Sequence, residues 1–401
     1  MYVIIGQGAA GTTAAAELRR LDPAAPVTLV TTEPDHFYSR VDLPAIIAGK
    51  LSPADAVLAG GDHFAALGVD RLVGKVLAIR PAEKTVHLIG EQLAYSKLLL
   101  ATGSQSVVPP LAGADASGVF TLWTMQDARE ISAAAAKASH AVVVGAGLIG
   151  VKTALALARR GLAVTLVEKL PGVLPRQLDS EAGAILAGRL AGQGVAVLTG
   201  ASLDAINAAS GRIGGVTVSG RTIACQLLVF AVGVRPAAAL AAQAGLAVGR
   251  GILVDKNLRT SDPFIYAAGD AAELAEPAGR PAVSAIWPTA VGQGKIAARN
   301  MAGVPCPYDP LPAMNAVEIA GLALISVGDF AGEDGDEILT AHSGGSYRRI
   351  VLRGRTVRGI VCLGDVSRAG VLGGLVGREL RPDTVDSLLS PAFAFAARLG
   401  G

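Results

Sequence analysis

One local pattern occurs twice in this chain of 401 residues, and it restricts the fold more than any other feature. The pattern is an apolar strand, a glycine-rich turn, an alanine-rich helix and a second apolar strand, and it spans residues 3–30 and 141–167. A helix that joins two parallel strands forms a βαβ unit. Each second strand, 27–30 and 163–167, is apolar apart from one threonine, as expected for a strand buried on both faces. The sequence therefore predicts an α/β protein with two parallel sheets.

The glycines of both turns follow the spacing G-x-G-x-x-G, which is typical of dinucleotide-binding sites. The first glycine lets the turn close, the second lets a pyrophosphate approach the backbone, and the third lets the helix pack on the strand. A glycine-rich packing turn is the alternative, because Gly accounts for 50 of the 401 residues. The strand before each turn and the helix after it favour a dinucleotide site. The positions are Gly6, Gly8 and Gly11 in the first turn, and Gly145, Gly147 and Gly150 in the second.

An acidic residue follows the second strand of each copy, where it could accept hydrogen bonds from a ribose. Glu168 directly follows its strand and favours NAD, because a carboxylate there would repel the 2′-phosphate of NADP. Lys169 and Arg176 lie close by and weaken this preference. Glu33 comes slightly late in the first copy, and a solvated loop acid is its alternative interpretation. Two dinucleotide sites suggest one permanently held cofactor and one that exchanges.

Charge and hydropathy exclude other classes of protein. The formal net charge is +2 and forms no basic stripe, so no nucleic-acid partner is predicted. No apolar run approaches the roughly 18 residues that a membrane-spanning helix requires. The chain enters a strand at its first residues without a basic signal segment, so we expect a cytoplasmic protein.

Cysteine usage excludes two kinds of redox centre. Cys225, Cys306 and Cys362 are scattered and form no C-x-x-C pair. Iron–sulfur clusters usually need four cysteine ligands, so neither a cluster nor another metal site is predicted within this chain. A redox-active disulfide is also not expected, and inert thiols in a reducing compartment are the simpler interpretation.

The last ninety or so residues differ in character from the rest. A proline-rich segment at 305–312 indicates a linker. Runs at 318–327, 347–353 and 356–362 predict antiparallel strands, and 384–389 predicts a helix. The sequence therefore predicts a small C-terminal α+β domain.

Four segments in a fixed order resemble the pyridine nucleotide–disulfide oxidoreductase superfamily of FAD proteins. They are 6–11 (GQGAAG), 101–103 (ATG), 145–150 (GAGLIG), and Thr260 followed by 266–270 (YAAGD). Two further segments, 37–49 and 176–179, resemble the rubredoxin and ferredoxin reductases, the flavin part of nitrite reductases, and the NADH-linked FAD subunits of multisubunit aldehyde or 2-oxoacid oxidoreductases. The resemblance covers essentially the whole chain.

This resemblance implies two Rossmann-like domains and a third, smaller domain. An FAD-binding domain at 1–112 and 245–310 would be interrupted by an NAD-binding domain at 113–244. The α+β domain at 311–401 would close over the flavin or form a dimer or partner interface. The implied cofactors are FAD at the first glycine turn and NAD(H) at the second.

The resemblance also implies site residues. Asp270 would hydrogen-bond the ribityl chain, Val76 would meet the adenine through its backbone, and Trp287 would either contact the flavin or pack in the core. The implied FAD-binding residues are Gly6, Gly8, Ala10, Gly11, Glu33, Arg40, Val76, Ala101, Thr102, Gly103, Gly269, Asp270 and Trp287. The implied NAD-binding residues are Gly145, Gly147, Leu148, Ile149, Gly150, Glu168 and Gly233.

The chain departs from the superfamily pattern at three places. The segment 38–49 lacks the cysteine or cysteine pair found in peroxidases and disulfide reductases. Lys152 stands where relatives often carry glutamate, and it would either face Asp42 near the flavin or reach solvent. Trp123 stands where relatives often carry arginine. A dithiol or sulfenate mechanism is therefore not expected.

The implied activity is an FAD-dependent NAD(P)H:acceptor oxidoreductase that prefers NADH. A hydride passes between nicotinamide and flavin, which needs no acid–base side chain, so no catalytic residue is predicted. Electrons then pass to or from an external iron–sulfur or rubredoxin-like protein. The chain would act as a homodimer or as the NAD-linked subunit of a larger complex. The alternatives are a stand-alone NADH oxidase, a detached nitrite-reductase-like flavin module, a slowly turning redox sensor, and a Rossmann protein without flavin.

Overall fold

A computed structural model describes residues 1–275, 281–310, 312–385 and 387–390. The chain separates into two units. The first contains Met1–Asp42, Leu51–Val107 and Val234–Leu311, and the second contains Leu43–Lys50, Val108–Gly233 and Pro312–Gly401. Each unit is therefore built from segments that are distant in the sequence.

The described strands are β1 (Tyr2–Ile5), β2 (Val27–Thr31), β3 (Phe37–Tyr38), β4 (Val57–Ala59), β5 (Val69–Val73), β6 (Val76–Arg80), β7 (Thr85–Leu88), β8 (Gln92–Ala94), β9 (Lys97–Leu100), β10 (Ser104–Ser106), β11 (Val119–Thr121), β12 (His140–Val144), β13 (Ala163–Val167), β14 (Val195–Leu198), β15 (Leu203–Ala209), β16 (Arg212–Val218), β17 (Arg221–Ala224), β18 (Leu227–Phe230), β19 (Val234–Pro236), β20 (Ile252–Val254), β21 (Ile265–Ala267), β22 (Ala272–Ala275), β23 (Pro281–Ala282), β24 (Met314–Ile319), β25 (Leu322–Gly328), β26 (Glu337–Ser343), β27 (Ser346–Arg353) and β28 (Thr356–Leu363). The described α-helices are α1 (Ala9–Leu21), α2 (Leu43–Ile47), α3 (Gly61–Ala66), α4 (Met125–Ala135), α5 (Leu148–Arg159), α6 (Ser180–Ala191), α7 (Ala239–Gln243), α8 (Trp287–Met301), α9 (Ala369–Gly373) and α10 (Pro382–Val385). Single 3₁₀ turns cover Arg40–Asp42 and Gly269–Ala271.

The first unit is organised around a parallel sheet with the strand order β21-β9-β1-β2-β5. Its central strands β1, β2 and β9 are almost completely buried, which explains why their sequences are mostly apolar. Helix α1 connects β1 to β2 and packs against α8. The carboxyl ends of these parallel strands lie at one edge of the sheet, which is where ligands bind in open α/β folds.

The second unit contains a matching parallel sheet with the order β11-β18-β12-β13-β14. Helix α5 connects β12 to β13 and buries its apolar face against them. An antiparallel β15-β16-β17 meander contributes Ile206, Val216 and Val218 to the same hydrophobic cluster. The predicted pair of βαβ units is therefore confirmed.

The C-terminal part of the second unit is an antiparallel sheet with the order β24-β25-β28-β27-β26, covered by short helices. The prediction of one strand at 318–327 is wrong, because the backbone reverses at Ala320 and Gly321. Both residues have positive φ, as a two-residue type I′ hairpin turn requires, so β24 and β25 form separate strands. The helix predicted at 384–389 is also misplaced, since α10 ends at Val385, and residue 386 lies outside the described residues.

Across the described ranges, no helix combines the length and hydrophobicity needed to cross a membrane.

Candidate functional site

In the first glycine turn, the backbone requires glycine at two of the three motif positions but not at the third. Gly6 has a φ of 113°, and a methyl group there would overlap the carbonyl oxygen of Ala101. A methyl group on Gly11 would overlap the carbonyl oxygen of Gly6, because α1 starts very close to the turn. Gly8 differs, since a methyl group there would meet no atom of the described residues within 4 Å. The protein therefore leaves open the position where the motif predicts a phosphate.

The second glycine turn repeats this arrangement. Gly145 has a φ of 104°, and a methyl group there would overlap the carbonyl oxygen of Ala231. Gly150 has no room for a methyl group beside the carbonyl oxygen of Gly145, whereas a methyl group on Gly147 would meet no described atom within 4 Å. Both turns thus have the same open position above the start of a helix.

The helices that follow the two turns lack side-chain caps. Gly8 precedes α1 and Gly147 precedes α5, and neither supplies a side-chain acceptor for the first backbone N–H groups. In contrast, Thr124 caps α4 and Asp179 caps α6 through their side chains. The uncapped N–H groups and the positive end of the helix dipole fit an anionic ligand.

The acid after β2 has protein partners. Glu33 is half-buried and its carboxylate accepts hydrogen bonds from the Tyr38 hydroxyl and the Arg40 guanidinium. The Arg40 Nη1 also donates to the Tyr38 oxygen over 3.1 Å. A carboxylate has about four lone-pair positions, so Glu33 retains capacity for a ribose hydroxyl. The structure brings the predicted residues Glu33 and Arg40 together.

The acid after β13 is tied to the second glycine turn itself. Glu168 accepts the backbone N–H of Ala146 over 2.7 Å and that of Leu170 over 2.8 Å. The carbonyl oxygen of Ala146 in turn accepts the N–H of Leu174 over 2.9 Å. Lys169 and Arg176 are both exposed. The predicted acid therefore lies beside the predicted phosphate position.

Asp270 lies at the carboxyl edge of the first sheet, in the 3₁₀ turn after β21. Burial raises the pKa of its carboxyl group, while a 2.7 Å hydrogen bond from the Ser104 hydroxyl and the nearby charge of Arg40 act in the opposite direction. The N–H of the preceding Gly269 donates to the buried side chain of Gln293 over 2.8 Å. This network fixes an acceptor group at the edge of the sheet.

The segment after β9 is held by the chain around β19. The Thr102 hydroxyl donates to the carbonyl oxygen of Ala237 over 2.8 Å, and the N–H of Ala237 donates to the carbonyl oxygen of Gly103 over 2.9 Å. Ala101 is buried, and its N–H bonds to Ile5 in β1 over 2.8 Å. Ala101 and Thr102 therefore help to hold this segment in place, in addition to their predicted role in FAD binding.

The remaining residues predicted to bind FAD occupy varied environments. Ala10 is buried, and its backbone lies so close to α8 that a methyl group on Gly294 would overlap the Ala10 carbonyl oxygen. Val76 is half-buried at the start of β6. Trp287 begins α8 and stacks on Phe37 with ring centroids 5.6 Å apart.

The remaining residues implied for NAD lie in the second unit. Leu148 and Ile149 form the half-buried first turn of α5. Gly233 has a φ of 109° and is exposed, with nothing within 4 Å of a methyl group placed there. Lys152 lies one turn further along α5, while Asp42 belongs to the first unit, so their proposed pairing stays a prediction.

Two of the three thiols are buried and unsuited to redox chemistry. Burial raises the pKa of Cys225 to about 11 and also raises the pKa of Cys362. Cys306 is half-buried, and all three cysteines are free thiols. A thiol with a raised pKa is a poor nucleophile at neutral pH because the thiolate is the reactive form.

Sequence reasoning missed several polar residues of this region. Ser104 and Gln293 support the Asp270 turn, and Arg71 contacts Gln7 in the first glycine turn. Gln7 Nε2 and His36 Nδ1 are buried, and neither has a hydrogen-bond partner among the described residues. Gln7 could have been found as the variable residue inside the motif, but no local signal marks Arg71 or Gln293. The open glycines and the uncapped helix starts fit a dinucleotide.

Comparison with protein families gives two matches that together cover most of the chain. A family described as pyridine nucleotide-disulphide oxidoreductase matches residues 1–294. A family described as rubredoxin NAD+ reductase C-terminal domain matches residues 313–379.

Individual relatives extend over nearly the same region. Nitrite reductase (NAD(P)H) of Bacillus subtilis (strain 168) is 30% identical over 384 residues, which are 94% of this chain and 47% of that enzyme. The NADH-dependent phenylglyoxylate dehydrogenase subunit epsilon of Aromatoleum evansii is 30% identical over 385 residues, covering 94% of this chain and 91% of the subunit. The crystal structure of a ferredoxin reductase from Rhodopseudomonas palustris matches with a TM-score of 0.86 and 28% identity, covering 92% and 93% of the two chains.

Proposed function

Because this chain belongs to the pyridine nucleotide-disulphide oxidoreductase family, we propose that it is an FAD-dependent NADH:acceptor oxidoreductase with an external protein redox partner. FAD is the retained cofactor at the first glycine turn, and NAD(H) is the exchanging cofactor at the second. The observation that carries this proposal is the pair of open glycines, Gly8 and Gly147, each in front of a helix without a side-chain cap.

The side chains around each turn would bind and orient the cofactors. Glu168 is positioned to accept a hydrogen bond from a ribose, and a carboxylate there disfavours a 2′-phosphate, so NADH is the preferred reductant. Asp270 supplies an acceptor near the predicted flavin position, held by Ser104. Bound FAD would supply the redox chemistry, exchanging two electrons with NAD(H) and single electrons with a protein partner.

The thiols support an acceptor outside this chain. Cys225 and Cys362 are buried with raised pKa values, so neither suits a dithiol relay. The proposed partner is an iron–sulfur or rubredoxin-like protein. Support comes from the rubredoxin-reductase-type match at 313–379, from the ferredoxin reductase structure, and from the phenylglyoxylate dehydrogenase subunit, whose name indicates a larger complex. A homodimer and a hetero-oligomeric complex both remain part of the proposal.

The chain spans about half the length of the nitrite reductase that it matches. Nitrite reduction by this chain alone is therefore not proposed. A detached flavin module that serves a separate reductase subunit and a stand-alone NADH oxidase are the alternatives, and an acceptor assay separates them.

The first experiment is an anaerobic titration of the purified protein with NADH and, separately, with NADPH. We expect a flavin spectrum that is bleached by one equivalent of NADH and much less effectively by NADPH. The Glu168→Gln variant provides a matched test, because its preference for NADH over NADPH should narrow. A colourless protein that stays colourless after incubation with FAD, or a flavin that neither nucleotide reduces, would contradict the proposal.

The second experiment compares acceptors under steady-state conditions with NADH. Rubredoxin and a [2Fe–2S] ferredoxin, each coupled to cytochrome c reduction, should support faster turnover than molecular oxygen. Faster turnover with oxygen would favour the oxidase alternative. Slow turnover with every protein acceptor, together with rapid flavin bleaching, would favour a complex subunit whose partner is specific.

A further inference from the structure

We infer that the hairpin formed by β26 and β27 holds the second glycine turn in position, through the start of α6, and thereby sets the affinity for NAD(H). His342 and Tyr347 are the positioning residues of this hairpin. The inference rests on the proposed function, because it concerns the nucleotide assigned to that turn. Both residues belong to the C-terminal antiparallel sheet, which contains none of the predicted site residues.

One face of the hairpin contacts the first turn of α6. His342 and Tyr347 lie directly opposite each other in the two strands, so their side chains share a face. Their ring centroids are 5.1 Å apart. His342 Nε2 lies 3.0 Å from Glu181 Oε1, which makes an ion pair when the histidine is protonated. Both partners of this pair are about half exposed, so the pair itself contributes modestly.

Tyr347 brings the hairpin to the residue that caps α6. Its side chain is buried, and burial raises the pKa of the phenol to about 12. The carboxylate of Asp179 raises this pKa further, while Arg349 lowers it, so the phenol lies near both groups. Asp179 Oδ1 accepts the backbone N–H groups of Glu181 and Ala182 over 2.9 and 3.2 Å. The hairpin therefore contacts both the cap and the first turn of the helix.

Residues 174–179 join the second glycine turn to the start of α6. The Leu174 N–H donates to the carbonyl oxygen of Ala146 over 2.9 Å. The Leu174 carbonyl oxygen accepts the N–H groups of Gln177 and Leu178 over 2.8 and 2.9 Å. This connection is short and internally hydrogen-bonded, so it transmits the position of the helix start to the turn.

The backbone of Leu174 agrees with a segment that is held from both sides. Its φ of 51° is a left-handed conformation, which costs free energy for a residue with a side chain. Such a conformation persists where the surrounding contacts fix it. One of these contacts is the glycine turn. On the other side, α6 packs so closely that a methyl group on Gly183 would come within 3.1 Å of the Val173 carbonyl oxygen.

The second glycine turn is thus supported on both sides of Ala146. Glu168 accepts the Ala146 N–H, and Leu174 donates to the Ala146 carbonyl oxygen. A weaker hairpin contact leaves Glu168 in place but loosens the second support. The nucleotide would then bind to a less ordered turn, which costs affinity. Turnover at saturating NADH should not change, because the loss affects bound substrate and transition state equally.

The first test measures steady-state kinetics of the holoenzyme with NADH and ferricyanide. His342→Ala and Tyr347→Phe should each raise the KM for NADH about threefold. The double variant should raise it about tenfold, with kcat within about twofold of wild type. The dissociation constant for NAD⁺, measured by calorimetry, should rise in parallel. Glu337→Gln changes an exposed acid of β26 and serves as the control, with unchanged KM and NAD⁺ affinity.

The second test uses the wild-type holoenzyme and hydrogen exchange measured by mass spectrometry. Coupling between two sites is reciprocal, so bound NAD⁺ should stabilise the hairpin if the hairpin stabilises the nucleotide site. Saturation with NAD⁺ should slow exchange about threefold in peptides that cover 173–179 and 338–348. Strand β24, at the opposite edge of the same sheet, should show no change.

The outcomes separate this inference from the proposed function. A double variant with a KM for NADH and an NAD⁺ affinity within about twofold of wild type would overturn the role of the hairpin and leave the proposed function intact. A lower melting temperature with wild-type NAD⁺ affinity would do the same, since the contact would then be structural only. If the double variant does not fold, unchanged exchange at 338–348 on NAD⁺ saturation would overturn the inference. A wild-type protein that binds no NAD⁺ and is not bleached by NADH would overturn both proposals.

Discussion

The two glycine turns share one backbone design but are held in place by different groups. In both, the first and third glycines are crowded by backbone oxygens and the second faces open space. The residue between the first two glycines differs. Gln7 is fixed through its side chain by Arg71, whereas Ala146 is fixed through its backbone by Glu168 and Leu174. The glycine spacing therefore specifies the turn, while its surroundings specify how it is supported.

This difference matches the roles that we propose for the two cofactors. In the first turn, Arg71 contacts Glu33 through its backbone carbonyl, while the Glu33 carboxylate, the predicted ribose acceptor, has its own partners in Tyr38 and Arg40. The site is thus organised before a ligand binds, which suits a retained cofactor. In the second turn, Glu168 both supports the turn and is the predicted ribose acceptor.

Alanine substitutions at the first and second glycines test the shared design and should give the largest effects. Gly6→Ala and Gly145→Ala place a methyl group against a carbonyl oxygen at a positive φ, so we expect losses of unfolding free energy above about 3 kcal/mol. Gly8→Ala and Gly147→Ala should change stability by less than about 1 kcal/mol. They should instead weaken binding of FAD and NADH, respectively, about 100-fold. Denaturant unfolding and ligand titration of the same four proteins provide the comparison.

The idea of a shared design would be contradicted if the changes in stability and in ligand affinity followed different patterns in the two turns. For example, a Gly8→Ala protein that binds FAD normally would mean that the open position in the first turn holds no phosphate. Measurements on the stripped proteins are essential, because bound FAD itself adds stability by mass action.

Much of the fold follows from the sequence because its signals are local. The mostly apolar strands β1, β2, β12 and β13 and the glycine spacing are enough to predict both parallel sheets. The hairpin at Ala320 and Gly321 was missed because alanine rarely adopts a positive φ and the surrounding residues form one continuous apolar run. The backbone preference of alanine disfavours a turn there, but the pairing of β24 with β25 outweighs that preference.

The polar support of the sites was less predictable. Arg71 lies 64 residues from Gln7, and Ser104 lies 166 residues from Asp270. No periodicity or spacing joins such pairs, because the contact depends on strand order. Motif spacing and the family resemblance predict residues that bind the cofactors, but neither points to the residues that hold these predicted residues in position. The roles of the motif residues remain predictions until cofactor binding is measured.

Glutamine substitutions at the two acids sharpen the comparison and should give intermediate effects. In Glu168→Gln, one of the two N–H groups of Ala146 and Leu170 loses its acceptor, so turn support and ribose binding weaken together. We expect the KM for NADH to rise about tenfold and the KM for NADPH to change less. In Glu33→Gln, Arg71 still holds the loop, so the dissociation constant of FAD should rise only about threefold.

Equal losses of affinity for the two variants would contradict the idea that support and recognition are separate in the first turn. Glu130→Gln is a suitable control, since Glu130 is an exposed acid on α4. Its KM for NADH and its FAD affinity should both equal those of the wild type.

The smallest effect is expected at Asp270, where we test whether the buried carboxylate destabilises the folded protein before FAD binds. Burial raises the pKa of this carboxyl group, so the folded protein binds a proton there more tightly than the unfolded chain does. Stability must then fall as pH rises from the ordinary aspartate pKa through the raised one.

Asp270→Asn should therefore make the stripped protein more stable than wild type at neutral pH, with no difference in acid, while weakening FAD binding. Ser104→Ala should make the stripped protein less stable than wild type at neutral pH, because the Ser104 hydroxyl lowers the pKa of Asp270. Denaturant unfolding of the stripped proteins across pH checks these signs, and a less stable Asp270→Asn protein at neutral pH would show that the buried charge is already compensated without the cofactor.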